Sequence, residues 1–192
     1  LELFKQAAQL LQEQREFMDK YGVENLTLSK IMFLNTSENE LFLHYKTNER
    51  EKGNTFREKI ELPIKGTASA FSPLIFDVLF MMSVISVINH DYKSASRLLN
   101  RILNEEKEIK IRKELQITTR LLYLLVLFET GDRLFESRYQ STRRFLIQEE
   151  ISGYYLGVLE ILQLLYNEKE DPSLIKRKWK ELLKAKELHT ED

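Results

Sequence analysis

Three histidines, His44, His90 and His189, are the first side chains in this 192-residue sequence to test for chemistry. None stands in an HxH or HExxH spacing, so no zinc site of that kind is indicated. His90 falls in a polar break between apolar blocks and His189 in the tail, where ordinary surface histidines are expected. Acidic residues are plentiful, but Glu105, Glu106 and Glu108 alternate with Lys107 and Lys110, the pattern of a solvated helix face. A catalytic carboxylate pair needs one member in an apolar pocket that raises its pKa. Asp77, ahead of the apolar run Val78–His90, is the acid to check, and its neighbours Pro73 and Phe76 favour a helix-start role instead. There is no GxGxxG and no GxxxxGK[ST], so nucleotide phosphates have no recognisable cradle. Gly153 and Gly157, four apart, are read as a site where two helices pack closely.

Two basic clusters remain. One is Arg138, Arg143 and Arg144; the other is Lys176, Arg177, Lys178, Lys180 and Lys184 around Trp179. Charge interleaved with an aromatic can hold a nucleic-acid backbone. Trp179, however, joins Ile175, Leu182 and Leu183 in an apolar stripe, and the lysines fill the opposite face. With 29 basic and 30 acidic residues, the net charge of −1 gives nucleic acid or anionic lipid no global attraction. The chain has no cysteine, which removes disulfides, thiolate metal sites and cysteine nucleophiles and suits a reducing compartment. The expectation is no catalytic residue, no cofactor, no metal and no nucleic-acid partner.

These side chains must be held by helices. Six Gly and three Pro are too few for a fold made of many tight turns. The longest uncharged run, Val78 to His90, has 13 residues, short of the roughly 20 that cross a bilayer, and reads as a helix buried on most sides. The start, "LELFKQAAQLLQEQREF", is a charged amphipathic segment rather than a signal peptide, and without Met it reads as a fragment or processed form. A cytoplasmic location without membrane contact follows as an expectation.

Residues 1 to about 21 read as a helix with Leu3, Phe4, Ala7, Leu10, Leu11 and Phe17 mostly on one stripe, ended by Gly22. From about Lys30 to Lys65, "KIMFL", "ELFLHYK" and "TFREKIELPI" are separated by turn formers, and Ile60, Leu62 and Ile64 alternate with polar or Pro residues. The reading taken there is a small β meander near residues 30–65; two irregular helices broken at Gly53 is the competing one. "KGTASAFSP" is a loop, so the chain divides into 1–65 and a helical region, 73–188. That region reads as three helix hairpins: about 74–89 with 92–106, 112–129 with 133–148, and 151–166 with 172–188. Asp91, Asp132 and Asp171, 41 and 39 residues apart, mark the recurrence, and Asp171–Pro172 is a good helix start. A two-helix unit that cannot bury its apolar face alone repeats and stacks.

"NHDYKSASRLLNRIL" resembles the turn and second helix of a tetratricopeptide-type repeat. Asp91 and Tyr92 sit where that family has an acid and a tyrosine, Ala95 matches its small close-approach residue, Leu99 and Ile102 match later packing positions, and Ser83 serves as the other small residue. Gly131 and Asp132 match the turn again, with Arg133 in place of the aromatic and Glu136 or Ser137 in place of the alanine. The region around residues 112–146 is also similar to parts of large, poorly characterised bacterial repeat proteins, many from Bacteroidetes. The likeness covers about Pro73 to Leu146, and weakly to about Leu188. The period near 40 departs from the family's typical 34, which implies longer helices and leaves other α-solenoids open.

The resemblance implies a mainly α fold of stacked, tetratricopeptide-like helix hairpins, and an interaction scaffold without chemistry. It would bind a protein or peptide partner on a concave face lined by the first helix of each hairpin. Arg120, Tyr123, Tyr154 and Tyr155 lie on such helices, and Arg and Tyr are favoured where binding energy concentrates. A ligand- or peptide-sensing regulatory module of a larger signalling or transcription protein is the second expectation. An enzyme, which a deep polar pocket with convergent acids would indicate, is the third.

Overall fold

The computed structural model describes residues 2–21, 26–65, 72–105, 111–151, 153–167, 177 and 180–181. Among them run eight helices: α1 (Glu2–Tyr21), α2 (Leu26–Lys46), α3 (Arg50–Lys65), α4 (Ser72–Ile88), α5 (Tyr92–Glu105), α6 (Lys113–Glu129), α7 (Phe135–Gln148) and α8 (Gly153–Tyr166). The expectation of a mainly α chain holds. The five helices expected at about 74–89, 92–106, 112–129, 133–148 and 151–166 appear within about two residues of those bounds. Of the second helix expected in the third hairpin only residues 177 and 180–181 are described, and Asp171, Trp179, Gly22, Lys107, Glu108, Lys110 and His189 lie outside the described residues.

The β meander is corrected. Residues 30–65 carry α2 and α3, joined at Thr47–Glu49, and no strand occurs among the described residues. The alternation at Ile60, Leu62 and Ile64 was a coincidence of two periods. Phe56, Ile60 and Ile64 are spaced i, i+4, i+8 and are all buried, whereas Leu62 is 77% exposed. Gly53 does not break the segment either. A Cβ there would stand 3.1 Å from Ile85 Cδ1 and 3.2 Å from His44 Cβ, so the glycine lets α3 approach α2 and α4 closely.

Four helices end in one way. Asn48, His90, Gly131 and Glu150 follow α2, α4, α6 and α7 with φ of 58°, 58°, 62° and 52°. At each, the positive-φ residue donates its N–H three residues back and the next residue donates five back, as in Asp91 N–H to Ser86 O (2.9 Å) and Asp132 N–H to Leu127 O (2.9 Å). The residue after the αL position is Glu49, Asp91 or Asp132 in the first three, 42 and 41 residues apart. The recurrence therefore begins one hairpin earlier than Asp91.

The chain forms two compact units, Leu1–Thr119 and Arg120–Asp192, with the boundary inside α6. The division does not fall at the loop after residue 65, because α2 and α3 share a core with α4 and α5. Leu34 and Leu41 of α2, Phe56, Ile60 and Ile64 of α3, Phe76, Leu79, Met82 and Ile85 of α4, and Leu98 and Ile102 of α5 form one buried cluster. In the first unit α4 lies against α2, α3 and α5, and α1 lies against α2. Leu→Ala truncation in such a core costs about 2–5 kcal/mol. Along α1 the outer residues Leu3, Leu10 and Phe17 stay 78%, 65% and 55% exposed, so the expected single stripe is split and only its Ala7–Leu11 edge is half-buried. In the second unit Phe135 of α7, fully buried, stacks on Tyr166 of α8 with centroids 4.0 Å apart.

Candidate functional site

Two recesses of the first unit share Arg15 in their lining. The larger, about 380 Å³, is lined by α1 (Ala8, Leu11, Gln12, Arg15), α2 (Glu40, Leu43, His44) and the start of α3 (Glu49, Lys52). Its charges form an alternating chain. Arg15 pairs with Glu40. Glu40 Oε1 lies 3.7 Å from His44 Nε2, one helical turn on. His44 Nδ1 lies 3.0 Å from Glu49 Oε2, and Glu49 Oε1 is 2.5 Å from Lys52 Nζ. The closed end of α2 brings Glu49 back to His44, because Glu49 N–H bonds His44 O at 3.0 Å. Hydrogen bonds from Lys52 and His44 hold the Glu49 carboxyl below the usual carboxylate range. Arg15 faces Glu40, Lys52 faces Glu49, and the His44 ring stands between the two carboxylates. Among the described residues, no three ligating side chains are grouped to hold a metal ion.

The smaller recess, about 220 Å³, lies on the other side of Arg15. Phe33 and Phe56 wall it, Ile60 closes it, and Arg15, Lys59, Thr36 and Ser37 complete the lining. The Arg15 guanidinium sits 4.9 Å from the Phe56 ring centroid. Thr36 is 4% exposed, and its Oγ1 has no hydrogen-bond partner in the structure.

Two further ion clusters tie elements together. Arg57, 4% exposed on α3, donates Nη1 to Ser86 Oγ (3.1 Å) and places Nη2 3.2 Å from Asp91 Oδ2. Asp91 also accepts the Ser94 N–H at 3.1 Å. Burial pushes the Asp91 carboxyl up, but Ser94's hydrogen bonds and Arg57's charge outweigh it and leave the pKa below the usual value. Asp77, the acid singled out in the sequence, stands in the second turn of α4 and is paired with Arg112 at 2.5 Å, not at the helix start. Burial and the Asp77 charge together raise the Glu38 carboxyl, which Arg112 partly offsets.

The four candidate partner residues do not gather into one patch of equal standing. Arg120 is half-buried, with its guanidinium 4.3 Å from the Phe145 ring centroid. Tyr123 is 2% exposed under the Arg138 guanidinium, which lies 5.6 Å from its ring. A ring so enclosed has no surface for a partner, so Tyr123 is corrected to a packing residue. Tyr154 and Tyr155 are half-buried neighbours on α8, edge to face at 5.4 Å. Arg143 and Arg144 are exposed. His90 bonds Tyr92 Oη through Nδ1 at 3.0 Å, an ordinary turn histidine. Gly153 is also corrected: a Cβ there meets nothing within 4 Å, so it marks no close helix crossing.

Sequence reasoning missed Arg15, Thr36, Glu40, Glu49 and Lys59. One signal was present: "TNER" repeats the turn of "NHDY" and "TGDR" 42 and 83 residues ahead of them, with Gly53 four residues after Glu49 as Ala95 is after Asp91. Nothing in the sequence alone placed α1 beside them. No family model matches the chain, and neither a curated protein nor a solved structure does.

Proposed function

We propose that the chain is a non-catalytic protein-interaction scaffold of tetratricopeptide-like type that binds a peptide or protein segment on a helical-repeat surface. The observation that carries this reading is the recurrence of one device. Each of three successive hairpins closes on a positive-φ residue followed by an acid, and the first helices α2 and α4 lie side by side with α3 packed against α4. That is how stacked helix pairs complete each other's cores. The mechanism is physical: rigid helices hold contact side chains in place, so less ordering entropy is lost on binding. Arg120, Tyr154 and Tyr155 are the partner-facing candidates, and the cytoplasm is the proposed location. Among the described residues no helix is long and apolar enough to cross a membrane.

The test is affinity capture with the chain as bait, followed by direct titration of any captured partner. Tyr154→Ala with Tyr155→Ala should weaken the complex at least tenfold with the helical circular dichroism kept, and Arg120→Lys, which keeps a cation over Phe145, should weaken it less. A partner bound equally by the Tyr154, Tyr155 double variant sinks the assignment of the surface. The second reading, a ligand- or peptide-sensing module of a larger regulatory protein, is favoured by the smaller recess and its unpartnered Thr36 hydroxyl.

A further inference from the structure

We infer that the recess between Phe33, Phe56 and Lys59 is a binding site for a small carboxylic acid with an apolar, arene-sized body. The inference rests on the sensing reading for its biological use, but not on the scaffold reading. A buried hydroxyl without a hydrogen bond is rare, because it has lost its water and gained nothing in return. Thr36 Oγ1 is such a group, and Thr36 lines this recess with Ser37, itself 2% exposed. The hydroxyl itself is sealed from solvent, so a turn of the Thr36 side chain toward the recess would let a ligand oxygen restore the missing bond.

A hydroxyl donates and accepts alike, so the charges decide which ligand fits. Lys59 at the rim and Arg15 on the wall are both cations, and Glu40, which neutralises Arg15, lines the neighbouring recess instead. Arg15 is already engaged, which leaves one cation, Lys59, for the ligand. A single carboxylate balances it through a charge-assisted bond; a dianionic phosphate would leave a net negative charge. The remaining lining, Phe33, Phe56 and Ile60, is apolar and wants the body of the ligand. At about 220 Å³ the space is below the range of drug-sized pockets and suits one ring or a short alkyl chain.

The probe is 3-phenylpropanoate, titrated into the isotopically labelled chain and followed by amide chemical shifts, with 3-phenylpropanamide and 2-phenylethylamine as comparisons. The carboxylate should shift the amides of Thr36, Ser37 and Lys59 and bind at least tenfold tighter than the amide or the amine. Thr36→Val, which keeps shape and removes the unpartnered hydroxyl, should leave the chain folded and weaken the carboxylate about tenfold. Lys59→Glu, an exposed change that leaves the core intact, should weaken it further. Equal affinity for carboxylate and amide, shifts confined to other helices, or unchanged affinity in both variants would overturn the inference. A short capped peptide ending in a free Phe carboxylate forms the last arm; tighter binding of that peptide than of the free acid overturns the small-molecule assignment. The partner surface at Tyr154 and Tyr155 is untouched by these variants, so the two readings fail separately.

Discussion

The α4–α5 and α6–α7 hairpins start alike and end differently. Both first helices close on a residue with φ near 60°, His90 or Gly131, and both turns offer an aspartate next. Asp91 then caps α5 directly: its carbonyl accepts Ala95 N–H at 3.0 Å and its carboxylate accepts Ser94 N–H. Asp132 instead accepts Leu134 N–H at 2.9 Å and Phe135 N–H at 3.0 Å, which inserts an extra turn, so α7 begins after Leu134 with no side-chain cap. Four residues past the true cap stands Ala95, fully buried, in one hairpin, and Arg138, half-buried, in the other. One hairpin closes on a small residue; the other is held by Arg138 over Tyr123 and Arg120 over Phe145. The comparison teaches that the turn is a local device, while the closeness of the helices depends on where the second helix starts.

The largest break expected is at the tie that only the α4–α5 turn possesses. Arg57→Ala removes the buried guanidinium that Ser86 and the partly exposed Asp91 share, and with its lost packing should cost about 2–3 kcal/mol in chemical denaturation. A loss below about 1 kcal/mol would mean the turn holds itself. Next comes helix approach. Ala95→Leu should cost about 2 kcal/mol by overpacking, while Glu136→Leu, on the exposed face of α7, should stay within about 0.5 kcal/mol. Equal losses would erase the distinction between the hairpins.

Two changes in the α6–α7 turn should each lower stability by about 1 kcal/mol. Gly131→Ala forces a Cβ into a left-handed conformation and destabilises. Asp132→Ala removes the carboxylate that accepts Leu134 N–H and destabilises by a similar amount, read from thermal melts at one pH.

The smallest effect is acid sensitivity. Because the folded Asp91 carboxyl titrates below its unfolded value, its contribution is present above the ordinary aspartate pKa and lost as pH falls through the lower folded one. Glu49 acts in the same direction, whereas Glu38, raised in the fold, becomes easier to accommodate as pH drops. Asp91→Asn should flatten the acid limb of stability against pH; an unchanged limb would assign acid loss to other groups.

Much of the fold was legible. Apolar spacing located α4 to α8 within about two residues, since each carries a face that water excludes. The segment 26–65 was not, because Gly53 and Pro63 look like breakers when read locally and Ile60–Leu62–Ile64 fits two periods at once. Of the candidate partner residues, Tyr123 illustrates the limit: a tyrosine on a helix is the same letter whether its ring faces solvent or Arg138. Thr36 was invisible for the converse reason, as a lost hydrogen bond is a property of its surroundings.

By itself the sequence determined that this is a mainly helical chain with a recurring turn, because periodicity and turn chemistry are written over short stretches. Only the tertiary structure decided that the recurrence reaches back to Glu49, that Gly53 is a contact rather than a break, and that Arg15 of α1 meets Glu40 of α2. Those outcomes depend on which helices lie side by side, and that is settled by fitting whole surfaces together at near-crystalline density, not by any residue's own preference.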